Sequence, residues 1–310
     1  MNKIIFIGTP EFSVKPLEAL FENENIEVSL VITGEDKVRS RNKIEATPVK
    51  KKALELGLNV YETNNLNSNE SLSIIEKINP DYIVVIAFGQ IIGKKLLEAY
   101  KNRIINVHSS LLPKYRGAAP MQWAILNKDQ KTGVCTMLIE RKMDTGDILD
   151  CREVELTEDT DINQLHDTLS ELSSELIVDT ILNYEIRFLN RKKQDERKVS
   201  YSEKIIKEMG YISFDEKAEN IKAKIMAFSS WPSTYVNYED KKMKIHKINI
   251  IDKYNDNIPG EIFRVDDEGI FVNCLDKCIV IKEIQMPGKK RVDIKTFLNG
   301  NTIKENIIFQ

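Results

Sequence analysis

Asn106 and His108 stand two residues apart in the run Ile104-Ile-Asn-Val-His108, and a carboxylate, Asp144, opens Asp144-Thr-Gly-Asp147 further on. In an extended strand, residues i and i+2 share a face, so the amide and the imidazole point the same way. The run before them is apolar enough to be a buried parallel strand. The carboxyl end of such a strand is where open α/β sheets bind ligands. An Asn, a His and an Asp, with no serine or cysteine cast as nucleophile, suit direct transfer of an acyl group onto an external nucleophile. The amide and the imidazole can donate hydrogen bonds to an oxyanion, while the carboxylate fixes the protonation state of the ring and helps remove a proton from an attacking amine. Each residue also has a plain structural reading: Asn106 as a loop cap, His108 as a partner for backbone groups, Asp144 as a turn aspartate. Ser110-Leu-Leu-Pro113 and Arg116-Gly-Ala-Ala-Pro120 form a stiff loop leading into a helix near Pro120, and its apolar residues make sense lining a pocket. Gly146 reads as a turn glycine permitting positive φ. Arg116 reads as structural or carboxylate-binding.

Other chemistries find little support. The first strand runs into Gly8-Thr9-Pro10 with no G-x-G-x-x-G, and Gly89-Gln-Ile-Ile-Gly93-Lys94-Lys95 is one residue short of a phosphate loop and lacks its Ser or Thr. The histidines, at 108, 166 and 246, have no partners at metal-ligand spacing, so no metal is expected. Cys135, Cys151, Cys274 and Cys278 are too scattered for a disulfide framework and read as reduced thiols.

The elements that must position these residues follow from periodicity. Strands are expected at 3–8, 27–33, 58–61, 82–87, 103–108 and 134–139, with helices at 13–22, 48–55, 69–77, 93–99 and 161–184 between or after them. This alternation gives an α/β fold with a doubly wound, mostly parallel sheet. From 187 to 207, eight cations stand against three anions, which reads as an exposed basic linker. Beyond it, a helix at 218–228 precedes short strands at 234–238, 243–251, 260–265, 270–273 and 278–285, the pattern of a small antiparallel barrel. Trp231-Pro232 reads as core behind that helix. The expected domains are 1–186, the linker 187–207, and 208–310.

The chain has 310 residues, enough for about two domains. Its longest apolar stretch, 83–88, is far short of a membrane span, and the run from Met1 reads as a strand and not as a signal peptide. The expected compartment is the cytoplasm. A net charge of −3 argues weakly against nucleic acid, but it hides local patches: Lys37, Arg39, Arg41 and Lys43 alternate along the loop after Thr33, as in an arm that contacts phosphates.

These residues closely resemble the folate-dependent formyltransferases, which share Asn-x-His, the Ser-Leu-Leu-Pro that follows, and Asp-Thr-Gly-Asp after the next strand. Within that family, the likeness to the branch that formylates initiator methionyl-tRNA runs over essentially the whole chain. It includes Ile4-Ile-Phe-Ile-Gly-Thr-Pro-Glu-Phe12, Thr47-Pro-Val-Lys50, Pro113 to Pro120 with Gln122, Phe228-x-x-Trp231-Pro232 and Pro287-Gly-Lys-Lys290. The sequence departs from the family at Ser40 and Asn42, where glycines usually flank the arginine, and at Ser109.

The resemblance implies a formyltransferase-like Rossmann variant followed by an OB-like barrel that helps hold tRNA. It implies transfer of the formyl group of 10-formyltetrahydrofolate to the α-amino group of methionyl-initiator tRNA, by direct attack through a tetrahedral intermediate, for translation initiation. Asn106, His108 and Asp144 would be catalytic; Ser110, Leu111, Leu112 and Pro113 would contact the folate; Arg41, with Lys43, Lys37 and Arg39, would contact the tRNA. The protein would act as a monomer. Formylation of a small amine, such as an amino-sugar nucleotide or glycinamide ribonucleotide, and a non-catalytic RNA-binding module remain alternatives.

Overall fold

The computed structural model describes residues 1–38, 44–252 and 258–309. The chain divides into two compact units. The first comprises Met1–Pro120, Lys131–Glu155 and Leu165–Glu203; the second comprises Met121–Gln130, Leu156–Gln164 and Lys204–Gln310. This division differs from the expected cut near 186, and 121–130 and 156–164 go with the second unit for a visible reason. Lys128 Nζ donates to Asn220 Oδ1 at 2.5 Å, Asn163 Nδ2 donates to Ser229 Oγ at 3.0 Å, and Lys222 pairs with Asp159 at 2.8 Å.

The first unit is built on seven strands: β1 (Asn2–Gly8), β2 (Ile26–Thr33), β3 (Val60–Glu62), β4 (Tyr82–Ile86), β5 (Ile104–His108), β6 (Lys131–Leu138) and β7 (Ile148–Glu155). They are ordered β7-β6-β5-β4-β1-β2-β3. β3, β2, β1, β4 and β5 run parallel, while β6 and β7 are antiparallel additions at one edge. Ile4, Ile5, Phe6 and Ile7 are all fully buried, as a strand covered on both faces requires. The helix Pro48–Glu55 starts where the sequence says it should: Thr47 Oγ1 accepts from Lys50 N at 3.1 Å, and proline takes the first helical position. β7 escaped the periodicity because Asp150, Arg152, Glu153 and Glu155 interrupt it; such charge is how an edge strand avoids pairing with another chain.

The stretch 187–207 does not hang free of this unit. Tyr201–Ser202 pairs in parallel with Arg116–Gly117, Lys192 exchanges backbone hydrogen bonds with Ile148, and Arg187 and Arg191 pair with Asp150 and Asp147 at 3.1 and 3.0 Å. Part of its positive charge is therefore neutralised within the unit.

The second unit carries β8 (Thr234–Tyr238), β9 (Lys241–Ile251), β10 (Glu261–Asp266), β11 (Gly269–Asn273) and β12 (Cys278–Gln285). They form a curled antiparallel sheet, β8-β9-β12-β11-β10, extended by Ile307–Ile308, with Val292–Asp293 pairing β12. Its core gathers Ile221 and Ile225 of the helix Ala218–Ala227 with Val236, Ile245, Ile262, Val272, Ile281 and Ile284. That helix has lysine at its N-cap position, where no side-chain oxygen is available, and Asp276 supplies one instead, accepting from Ala218 N at 2.9 Å. Trp231 is not core: it is 48% exposed, because the helix ends at Ala227, Phe228 fills the buried position, and Trp231 lies in the turn beyond. Among the described residues, no helix is long and apolar enough to cross a membrane.

Candidate active site

β5 delivers Asn106 and His108 to the carboxyl edge of the parallel strands, as its alternation requires. Opposite them on β6 stand Met137 and Cys135, which with Leu112 form a buried apolar floor. His108 is 7% exposed, and its Nε2 lies 2.9 Å from the carbonyl oxygen of Tyr115. A carbonyl only accepts, so Nε2 carries the proton and donates it there. In the neutral ring, Nδ1 is then the proton acceptor. It faces Asp144 Oδ2 at 3.8 Å, too long for a hydrogen bond but close enough for an ion pair once the ring is protonated. Expected as an oxyanion donor, the neutral imidazole has its one N–H engaged by Tyr115.

Asp144 reaches this position from the turn between β6 and β7. Its φ is +53°, and the Gly117 amide donates to its Oδ2 at 2.8 Å. The positive φ belongs to Asp144 and not to Gly146. Glycine is needed at 146 because a Cβ there would come within 1.8 Å of the Leu138 carbonyl oxygen. Asn106 is half-buried, and among the described residues its amide has no hydrogen-bond partner, which leaves a donor available at the strand end.

The loop after His108 is held from within and from afar. Ser110 is fully buried and its hydroxyl donates to the Lys114 carbonyl at 2.6 Å, so it closes the turn that presents Leu111, Leu112 and Pro113. Leu112 packs into the floor. Ser200 then takes over: its hydroxyl accepts from Tyr115 N at 2.9 Å and its carbonyl from Arg116 N at 2.9 Å. Arg116, 2% exposed, has the partners that sequence alone did not reveal. Its Nε donates to Gln194 Oε1 at 2.9 Å and its Nη2 to Glu196 Oε1 at 2.9 Å, and this guanidinium holds the Glu196 carboxyl below the usual range. Tyr115, Gly117, Gln194 and the Cys135/Met137 floor escaped the sequence reading, since backbone groups carry no signature and Gln194 lies 50 residues from Asp144.

The cysteines require a correction. Cys135 and Cys151 are joined by a disulfide, not reduced. They are 16 apart in sequence but directly opposite in the antiparallel pair β6/β7, a register that spacing alone does not disclose. Cys274 and Cys278 are buried and not disulfide-bonded.

Of the cationic arm, Arg39, Arg41 and Lys43 lie outside the described residues. Lys37 belongs to the two-residue strand Lys37–Val38, which pairs with Ile44–Glu45. The stem is clamped by Lys50, whose Nζ lies 2.7 Å from both Asp36 and Glu62. No group of three or more His, Cys, Asp or Glu side chains among the described residues is placed to hold a metal ion.

Comparison with known proteins gives this geometry a context. Residues 2–181 match the family model described as formyl transferase, and residues 204–302 match formyl transferase, C-terminal domain. The chain belongs to the formyl transferase family. It is 46% identical to the methionyl-tRNA formyltransferase of Finegoldia magna, over 99% of each chain, and 42% identical to that of Sulfurihydrogenibium sp., over 99% of this chain and 100% of the other. Among solved structures, the N-formyltransferase of Helicobacter canadensis, in complex with folinic acid and dTDP-3-aminofucose, superposes with a TM-score of 0.64 at 20% identity. That match covers 92% of this chain and 100% of the other, a likeness of fold. Family membership accounts for both units: the parallel sheet with its polar edge, and the curled antiparallel sheet that follows.

Proposed function

We propose that the protein transfers the formyl group of 10-formyltetrahydrofolate to the α-amino group of methionine esterified to initiator tRNA. The observation that carries this reading is the full-length likeness to methionyl-tRNA formyltransferases, spanning the second unit as well as the first.

The first unit's edge suits the chemistry. The Asn106 amide, without a partner among the described residues, can donate to the formyl oxygen as negative charge develops on it. His108, its Nε2 proton committed to Tyr115, accepts the proton shed by the attacking amine at Nδ1, and the imidazolium is stabilised across 3.8 Å by Asp144. Leu111, Leu112 and Pro113 offer an apolar wall for the folate, and Ser110 closes the turn that presents them. Lys37, Arg39, Arg41 and Lys43 contact the tRNA backbone through their positive charge.

The test is formyl transfer by the full chain at varied salt, with charged initiator tRNA and, separately, glycinamide ribonucleotide or an amino-sugar nucleotide as acceptor. We expect formyl-methionyl-tRNA, with turnover falling steeply as salt rises because phosphate contacts release counterions. Turnover of a small amine in preference to the tRNA, or no formyl transfer by folded protein with intact folate, overturns the reading.

A further inference from the structure

Asp144 faces His108 from a main-chain conformation that is uncommon for L-residues. At φ +53° it sits in the left-handed region, which is unfavourable for a residue other than glycine and persists where the surroundings enforce it. The Gly117 amide holds the carboxylate but not the backbone. The backbone is held by Gln194: its Nε2 donates one proton to the Asp144 carbonyl and the other to the Gly146 carbonyl, both at 2.8 Å.

The orientation of the Gln194 amide is fixed by chemistry. Its oxygen accepts from Arg116 Nε at 2.9 Å, and a guanidinium only donates, so the amide nitrogen must face the two carbonyls. Arg116 is buried and braced by Glu196, and the next residue along the chain is Gly117, whose amide grips the Asp144 carboxylate. The circuit closes on itself: Asp144 carboxylate, Gly117, Arg116, Gln194, Asp144 carbonyl. Neighbouring contacts secure the same turn, with Lys192 paired to Ile148 and Arg191 to Asp147.

We infer that Gln194 is a positioning residue for the transfer reaction: it holds Asp144 in its left-handed conformation and thereby keeps the carboxylate aimed at His108 Nδ1. This rests on the reading that Asp144 acts on His108. The segment that charge alone marks as a linker is, at 191–196, part of the catalytic scaffold.

Two near-isosteric variants test this in the full chain. Gln194→Glu keeps the acceptor for Arg116 and removes both donors; Gln194→Met removes the donors, and the acceptor for Arg116 with them, without setting a charge against the carbonyls, so one can decide if the other fails to fold. With 10-formyltetrahydrofolate and methionyl-tRNA, each should lower kcat roughly 10- to 100-fold, as expected for a displacement of about an ångström at a reacting group, with KM for both substrates within about two-fold. In an Asp144→Asn background, the same changes should lower kcat by less than about two-fold further, because their effect runs through the carboxylate. A general packing defect would instead repeat its full loss there. Near-wild-type kcat in Gln194→Glu and Gln194→Met, or full losses in the Asp144→Asn background, overturns the inference. Wild-type turnover by Asp144→Asn itself would overturn the assignment of Asp144, a separate failure.

Discussion

His108 and His246 sit in similar local settings and stand in very different places. Each lies on a β-strand, His108 buried and His246 half-buried, with one ring nitrogen near a protein oxygen: the Tyr115 carbonyl for His108 at 2.9 Å, Gln285 Oε1 for His246 at 3.2 Å. His108 is the last residue of β5, at the carboxyl edge of the first unit's parallel strands, where loops from Tyr115, Gly117 and Asp144 converge. His246 lies inside β9 of the second unit, where the register against β12 shifts, and its surroundings are set by the ladder. An imidazole becomes chemically useful where strands end and the chain is free to bring other groups to it. Within a ladder, the neighbours are dictated two residues at a time.

The sharpest way to break this comparison is to remove each ring. His108→Ala should lower kcat by about 10² to 10⁴, the range for loss of a positioned general base. His246→Ala should leave kcat within about two-fold, since surface-proximal side chains away from a site act mainly on stability. Steady-state formyl transfer at saturating folate and tRNA decides it. Similar losses in both variants would remove the distinction between strand end and strand interior.

Sequence reached the strand-end pair because its two residues share one strand and one face, and because histidine is scarce in this chain. It reached Asp144 through the turn that follows β6. It did not reach the groups that hold them. The Tyr115 carbonyl and the Gly117 amide are main chain, present at every position and therefore unmarked. Gln194 is an ordinary surface-type residue in a charged stretch, and its role depends on where the chain returns after a long helix. Gly146 was legible as glycine but not for its reason, since the close approach of the Leu138 carbonyl arises from the β6/β7 pairing. The same pairing was invisible in the charge-interrupted β7, and with it the meeting of Cys135 and Cys151. Trp231 shows the converse: an aromatic just past a helix reads as buried, but helix termination turns the chain outward before it.

Those cysteines sharpen the comparison at the level of stability. In the first unit, Cys135 and Cys151 are bonded across a sequence separation of 16, worth about 3 kcal/mol if closing such a loop restricts the unfolded chain. In the second unit, Cys274 and Cys278 are buried in the core and not disulfide-bonded, Cys278 donating to Asn273 Oδ1 at 3.0 Å, and burial pushes the Cys274 thiol up to about 12, so it offers no thiolate near neutrality. Calorimetry with and without dithiothreitol should therefore lower the transition of the first unit by several degrees and leave the second where it was. Thiol labelling of the native protein without reductant should find no reactive cysteine. A shift of both transitions together, or of neither, would mean that the bond does not restrain the first unit separately.

The smallest expected effect belongs to His246 and its pH dependence. Burial holds its pKa below the ordinary value; Gln285 and Glu283 act in the opposite direction, and Arg291 and Lys244 add to the lowering. A base depressed in the folded state binds fewer protons there than in the unfolded chain. The second unit's stability is thus fully present above the ordinary histidine value of about 6.5 and declines as pH falls through it towards the folded value. Urea unfolding of the second unit at pH 7.5 and 5.5 should show a loss on acidification in the wild type that is smaller in His246→Gln, where the neutral amide keeps a polar group beside Gln285 and cannot take up the proton. An equal loss in both proteins would place the pH sensitivity on other groups, and His246 would then be silent in titration as well as in catalysis.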